Sequence, residues 1–87
     1  MNASVNVLRR GAEAEIRRDT FLGRSVLVKS RVPKPYRHPS LDISLRSHRT
    51  RTEARLLQEA RECGVPTPIV YDIDLAKAEL WMQEVPG

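Results

Sequence analysis

The stretch SVLVKSRVPKPYRHPSLDISLRSHRTRTEARLLQEARECG, Ser25–Gly64, decides the fold. Its first four residues, Ser25–Val28, give the run SVLV, with β-branched Val26 and Val28, bounded by Gly23 before and Lys29 after. They predict a buried strand. PKPYRHP, Pro33–Pro39, has prolines at positions 33, 35 and 39. Proline lacks the backbone N–H and fixes φ, so this segment is neither regular helix nor central strand. From Leu41 to Cys63 there is no Gly or Pro. Ala54, Leu56, Leu57 and Ala60 recur there at helical spacing. Ser40 is placed to cap the helix, and Asp42 suits its positive N-terminal end. Gly64, with Pro66 beyond it, marks the stop.

Outward from this centre the pattern is one of short strands. Val5–Leu8 and Glu15–Arg18 flank a break at Gly11, and Leu22-Gly23-Arg24 forms the next turn. After the helix, Ile69–Tyr71 with Ile73 predicts a strand, Leu75–Ala78 its turn, and Leu80–Val85 another strand. The order is strand, strand, strand, helix, strand, strand. It predicts an α+β domain over residues 1–87, with a five-stranded antiparallel sheet packed on one main helix. Eighty-seven residues make one domain at most, which excludes a complete Rossmann enzyme or barrel. Phe21, Tyr36, Tyr71 and Trp81 are the only aromatics, so the core is built from Val, Leu, Ile and Ala.

Cys63 is the single cysteine. An internal disulfide is excluded, and a reducing compartment is expected. MNASVNVLRR, residues 1–10, holds no long apolar run. Neither a signal peptide nor a membrane span is expected, and a cytoplasmic location follows as the expectation. The net charge of +4 hides an asymmetry. Residues 1–51 carry twelve Lys/Arg against four Asp/Glu, and residues 52–87 three against seven. Twelve of the fifteen basic residues are Arg, the side chain best shaped for phosphate or carboxylate. The basic half reads either as a solvated surface or as a face for RNA or an acidic protein.

Glu53 shares a helix face with Leu56, Leu57 and Ala60. A carboxylate near a core costs several kcal/mol unless it meets a cation, on the order of 3–5 when one partner of a buried pair is removed. It either pairs with Arg49 one turn earlier, sits at the rim of the apolar stripe, or meets Lys29 at the end of the strand SVLVK. Lys29 in turn either reaches water with its stem packed, or points under the sheet to Glu53 and a ligand phosphate. His38 reads as a turn residue rather than a base or ligand and His48 as solvent-facing, while PKPYRHP is expected to be an ordered, irregular connector whose Arg37 and His38 contribute to phosphate or partner contacts. No Cys/His cluster or acidic cage predicts a metal.

The segments VLVKSRVPKPYRHPSLD, Val26–Asp42, and RTRTEARLL, Arg49–Leu57, resemble the small atypical Ser/Thr protein kinases of the KEOPS/EKC complex, the bud-site-selection kinase family. The shared marks are a strand ending in Lys29, then Pro33, Lys34, Tyr36, Arg37, His38 and Pro39. Arg49, Thr50, Glu53, Ala54, Arg55, Leu56 and Leu57 follow on the helix. G-A-E-A at Gly11–Ala14 and G-V-P-T-P at Gly64–Pro68 extend the likeness over the whole chain.

The resemblance implies a protein-kinase-like N-terminal, ATP-binding lobe. By it, Lys29 would hold the α/β-phosphates of ATP and Glu53 would hold Lys29. Gly11, Ala12 and Glu13 would stand over the phosphates. Met82 would lie behind the adenine, with Gln83 carbonyl and Val85 N–H at its edge. Arg10 and Gln83 depart from the usual family residues. The whole enzyme would be a Ser/Thr kinase and ATPase serving threonylcarbamoyladenosine modification of tRNA, with other KEOPS subunits as partners and tRNA contact through basic residues. Its Mg²⁺ ligands and catalytic Asp are expected in a second lobe outside these residues, so this chain alone is expected to be inactive. The rival expectation is an Arg-rich binding module for RNA or an acidic protein.

Overall fold

The computed structural model describes residues 7–11 and 13–84, and for Val7–Arg10 the backbone only. Five strands and one helix follow in the order β1 (Val7–Arg10), β2 (Ala14–Phe21), β3 (Arg24–Arg31), α1 (Pro39–Glu62), β4 (Val70–Asp74) and β5 (Glu79–Gln83). The strands form one antiparallel sheet in the spatial order β1-β2-β3-β5-β4. The α+β class, with an antiparallel sheet against one helix, agrees with the sequence reading. The boundaries move. The expected strand at Val5–Leu8 runs through Arg9 and Arg10, and residues before Val7 lie outside the described set. β2 and β3 each extend to eight residues, because their hairpin register is continuous from Ala14↔Arg31 to Phe21↔Arg24.

Strand alternation divides the sheet into two unlike faces. Leu27, Lys29 and Arg31 of β3 share one face with Leu80 and Met82 of β5, which sit opposite Lys29 and Leu27. α1 covers this face. Ala54, Leu80 and Met82 form the buried cluster there, with Leu27, Leu57 and Val70 packed around it. The other face buries Val26 and Val28 completely. Opposite Val28 stand Arg17 on β2 and Trp81 on β5. Phe21 stacks on Tyr71 at 5.8 Å, Trp81 lies 6.1 Å from Phe21, and the Arg17 guanidinium covers the indole at 5.7 Å. Four aromatics therefore suffice because three are gathered on one face.

The helix starts two residues earlier than expected. His38, not Ser40, is the cap, its Nδ1 accepting from the Ser40 N–H at 3.2 Å, and Pro39 fills the first helical position. Proline fits there because its missing N–H has no intrahelical partner anyway. The end is as the sequence reads. Gly64 has φ 87°, the Val65 N–H donates to Ala60 O at 2.9 Å and the Gly64 N–H to Arg61 O at 3.0 Å. This is a Schellman stop, in which a left-handed residue lets the last carbonyls be satisfied. Among the described residues no helix is long and apolar enough to cross a membrane.

The β2–β3 turn is formed by Leu22 (φ 52°) and Gly23 (φ 79°). Two positive φ values fit the primed hairpin turn, which favours Asn-Gly. Leu22 is 87% exposed, so its side chain gains little from packing to offset the left-handed backbone. Leu22→Asn is expected to stabilise the chain by about 1 kcal/mol, from the relieved backbone cost. The check is a shift of the urea midpoint to higher concentration at unchanged slope.

Candidate functional site

The site lies where the end of β3 passes under the middle of α1. Lys29 and Arg31 are two residues apart on one strand, so both side chains point to the helix. Glu53 meets them from above. Its Oε2 accepts from Lys29 Nζ at 2.9 Å, and its Oε1 accepts from Arg31 Nη2 at 2.8 Å. One carboxylate is thus divided between two cations. All three side chains are largely covered, at 28%, 17% and 25% exposure for Lys29, Arg31 and Glu53. Glu53 meets Lys29, as one alternative had it, and takes Arg31 of the same strand as well, rather than pairing with Arg49. The buried helix face turns through Thr50 and Ala54, which leaves Leu56 55% exposed.

Arg49 takes a different carboxylate. Its Nη1 donates to Glu13 Oε1 at 3.0 Å. Glu13 is further tied by its carbonyl, which accepts from the Val32 N–H at 3.0 Å. Gly11 closes the β1–β2 connection, its N–H donating to Ala14 O at 2.8 Å. Glu13 of the loop expected above a phosphate is therefore fastened both to Val32, just past β3, and to α1. Ala12 and Val85, two of the expected contacts, lie outside the described residues.

Met82 is 8% exposed and belongs to the core cluster, so its side chain is engaged in packing under Ala54. The Gln83 side chain is engaged too, its Oε1 accepting from the Ile69 N–H at 3.3 Å, and the Gln83 backbone N–H donates to Ile69 O at 2.8 Å.

A cavity of ≈ 450 Å³ opens beside the triad, lined by Lys29, Arg31, His48, Arg49, Thr52, Glu53 and Leu56. Its cations outnumber its carboxylate, and its hydroxyl and imidazole add hydrogen-bonding groups. Such a lining suits an anion. A larger hollow of ≈ 700 Å³ between α1 and β4 contains none of the expected site residues. Among the described residues no group of three His, Cys, Asp or Glu is placed to hold a metal.

Arg31 escaped the sequence reading. The signal available was its i, i+2 position from Lys29, which puts both on one face of a strand. The proline-rich connector also differs from expectation in its use. Arg37 and His38 were expected to face phosphate or a partner. Instead Arg37 stacks over Tyr36 at 5.5 Å and donates to Asp42 Oδ1 at 3.2 Å, and His38 caps α1. Asp42, 4% exposed, also accepts from the Lys34 N–H at 3.0 Å and from Arg46 Nε at 2.7 Å. It pins the connector to the first turn of α1.

Burial alone would raise the Asp42 carboxyl. The Lys34 N–H, Arg46 and Arg37 outweigh it and hold the group below the ordinary 3.8. The folded state therefore binds this proton less readily than the unfolded chain. The resulting stability is present above about pH 4 and is lost as pH falls through the folded-state value. Asp42→Asn is expected to be less stable at pH 7 and to show less acid-side loss. Urea midpoints measured from pH 7 to pH 3 should converge for the two proteins, and parallel curves would contradict this assignment.

No protein-family model matches the chain. Similar sequences nevertheless occur in proteins of known name. The chain is 56% identical over 78 residues to a probable bifunctional tRNA threonylcarbamoyladenosine biosynthesis protein of Methanosarcina acetivorans, covering 88% of this chain and 14% of that protein. It is 39% identical over 82 residues to the protein of that name from Methanobrevibacter smithii, covering 94% and 15%. It is 41% identical over 83 residues to the mouse EKC/KEOPS complex subunit Tp53rkb, covering 95% and 34%. The chain thus spans about a seventh of the archaeal relatives and a third of the mouse one. These names are of tRNA modification and of a KEOPS subunit. None names a kinase, and the expectation of a Ser/Thr kinase or ATPase is corrected accordingly.

Proposed function

We propose that this chain is an ATP-binding segment of a subunit that acts with other KEOPS-type subunits in threonylcarbamoyladenosine modification of tRNA. The observation that carries the reading is the Lys29–Glu53–Arg31 arrangement beside a cationic cavity. The likeness to threonylcarbamoyladenosine biosynthesis proteins and to a KEOPS subunit supplies the setting. Lys29 would take the phosphates, held in place by Glu53. Gly11, Ala12 and Glu13 would approach them from the β1–β2 connection. The adenine would lie toward β5, against the backbone of Gln83 and Val85 and over Met82.

The donor set fits phosphate. Lysine and arginine donate only, and both are already oriented by a carboxylate. It does not fit a divalent cation, since Glu53 has both oxygens committed to cations. Mg²⁺ would enter with the triphosphate, and the described residues do not supply its ligand set. No step of bond making or breaking is assigned to these residues. Cytoplasmic location belongs to the same proposal.

The rival, a basic module for RNA, finds less support. Arg17, Arg18, Arg31, Arg37, Arg46 and Arg49 each lie on a carboxylate of this chain. These six are engaged within the chain, on Glu79, Glu84, Glu53, Asp42 and Glu13, rather than held out to a polyanion.

The reading is tested by calorimetric titration of the protein with ATP. Wild type is expected to bind. Lys29→Met should weaken binding by about tenfold or more, the worth of a charge-assisted hydrogen bond to phosphate. An ATP affinity unchanged by Lys29→Met would remove the phosphate role of Lys29.

A further inference from the structure

The first residue past β5, Glu84, is held by two other strands at once. Both its carboxylate oxygens accept from Arg18 Nε at 3.1 Å, Oε2 accepts from Arg18 Nη2 at 2.6 Å, and Oε1 accepts from Ser25 Oγ at 2.7 Å. Arg18 belongs to β2 and Ser25 to β3. These hydrogen bonds hold the Glu84 carboxyl below its ordinary 4.5, so it is ionised at neutral pH. Arg18 is 52% exposed, and an ion pair so open to water adds at most about 1 kcal/mol to folding. What the clamp supplies is direction, because a guanidinium fork and a hydroxyl together fix where the carboxylate lies.

The place of the clamp gives that direction a use. Register sets Arg18 opposite Leu27 and Leu27 opposite Met82, so the three form one row on the face of the sheet that carries Lys29. Ser25 lies on the same face, four residues before Lys29 on β3, which is about 13 Å at the rise of a strand. Lys29 therefore stands at one end of this face and the Glu84 clamp at the other, with Leu27 partly buried between them. That distance is enough to lay a nucleoside with its phosphates along the strand.

We infer that Arg18 and Ser25, acting through Glu84, are positioning residues for the base of the nucleotide. The inference rests on the nucleotide reading above and deepens it. A base that is read by backbone groups gains from them where the chain is already fixed, since ordering one residue costs about 1–2 kcal/mol. The Gln83 N–H is fixed by Ile69 O. β5 ends at Gln83, and from there the Glu84 side chain takes over from the ladder. Glu84 has both oxygens committed to Arg18 and Ser25, so it acts on the base by holding the backbone on either side of it. Lys29 and Glu53 then govern the phosphate end and the clamp governs the base end.

The test titrates wild type, Arg18→Met, Glu84→Gln and the double variant with adenosine, ATP and tripolyphosphate, with a thermal melt on each. Each single variant is expected to weaken adenosine and ATP by about three- to tenfold and to leave tripolyphosphate within about twofold. The double variant should bind no more weakly than either single one, since each alone opens the clamp. Arg18→Met removes a positive charge and Glu84→Gln a negative one, and adenosine has none, so a shared loss of adenosine affinity cannot come from net charge. Where adenosine binds too weakly to titrate, the ratio of ATP to tripolyphosphate affinity reads the same effect. Should these variants fail to fold, Ser25→Ala, which keeps the ion pair, carries the comparison with a loss of about twofold or more for adenosine and ATP alone. Tripolyphosphate weakened as much as ATP, or losses that add in the double variant, would overturn the inference. Adenosine and ATP affinities unchanged by the clamp variants, with ATP still dependent on Lys29, would overturn it while leaving the nucleotide reading intact. Clamp-dependent adenosine binding with ATP indifferent to Lys29→Met would support it and overturn the phosphate role of Lys29. Failure of wild type to bind either adenosine or ATP would overturn both.

Discussion

The Glu53 carboxylate, shared between Lys29 and Arg31, is the constraint on which the placement of α1 depends. The helix is 24 residues long, yet few of its side chains are apolar and inward. Ala54 and Leu57 meet Leu80, Met82 and Val70, and at about 25 cal/mol per Å² such a narrow seam contributes little orientation. The seam attaches α1 to β4 and β5. On the other flank Leu27 of β3 borders the same cluster, and the attachment is completed by ions, through Glu53 and, one turn earlier, through the Arg49 pair with Glu13.

A long polar helix is held this way for a physical reason. The small chain has few large side chains to insert under α1, and three of its four aromatics lie on the opposite face of the sheet. Partly covered ion pairs give less free energy than packing, but they fix direction, since each oxygen accepts along its own line. Asp42 repeats the device at the start of the helix. It gathers Arg37, Arg46 and the Lys34 N–H, and so converts a proline-rich connector into a shaped one.

Much of this was legible in the chain. Gly64 and Pro66 announced the helix end, and the run SVLVK the central strand, whereas the helix start, expected after Ser40, fell at Pro39. Lys29 and Glu53 drew notice because each is a charge beside apolar neighbours, and the fold brings them together. What was not legible depended on register. Arg31 looks like an ordinary strand-end cation until β3 is known to run through it, and Arg49 could not be assigned to Glu13 before the β1–β2 connection was placed. The strand limits were short for the same reason: hairpin pairing carries Ala14 and Arg24 into the ladder although neither has strong strand preference. The expected faces of His38 and Arg37 failed because local capping and stacking competed for them first.

The two faces of the sheet differ in another respect. Trp81, the only tryptophan, lies on the face away from α1, under Arg17 and beside Phe21, its indole N–H donating to Glu79 at 3.2 Å. Its fluorescence therefore reports the integrity of the β2–β3–β5 ladder, while far-ultraviolet ellipticity is dominated by α1. A helix moored largely by ions and a sheet held by its own ladder need not respond alike to salt. In this chain the two optical signals read the two layers separately, and any loss of coincidence between them marks the helix parting from an intact sheet.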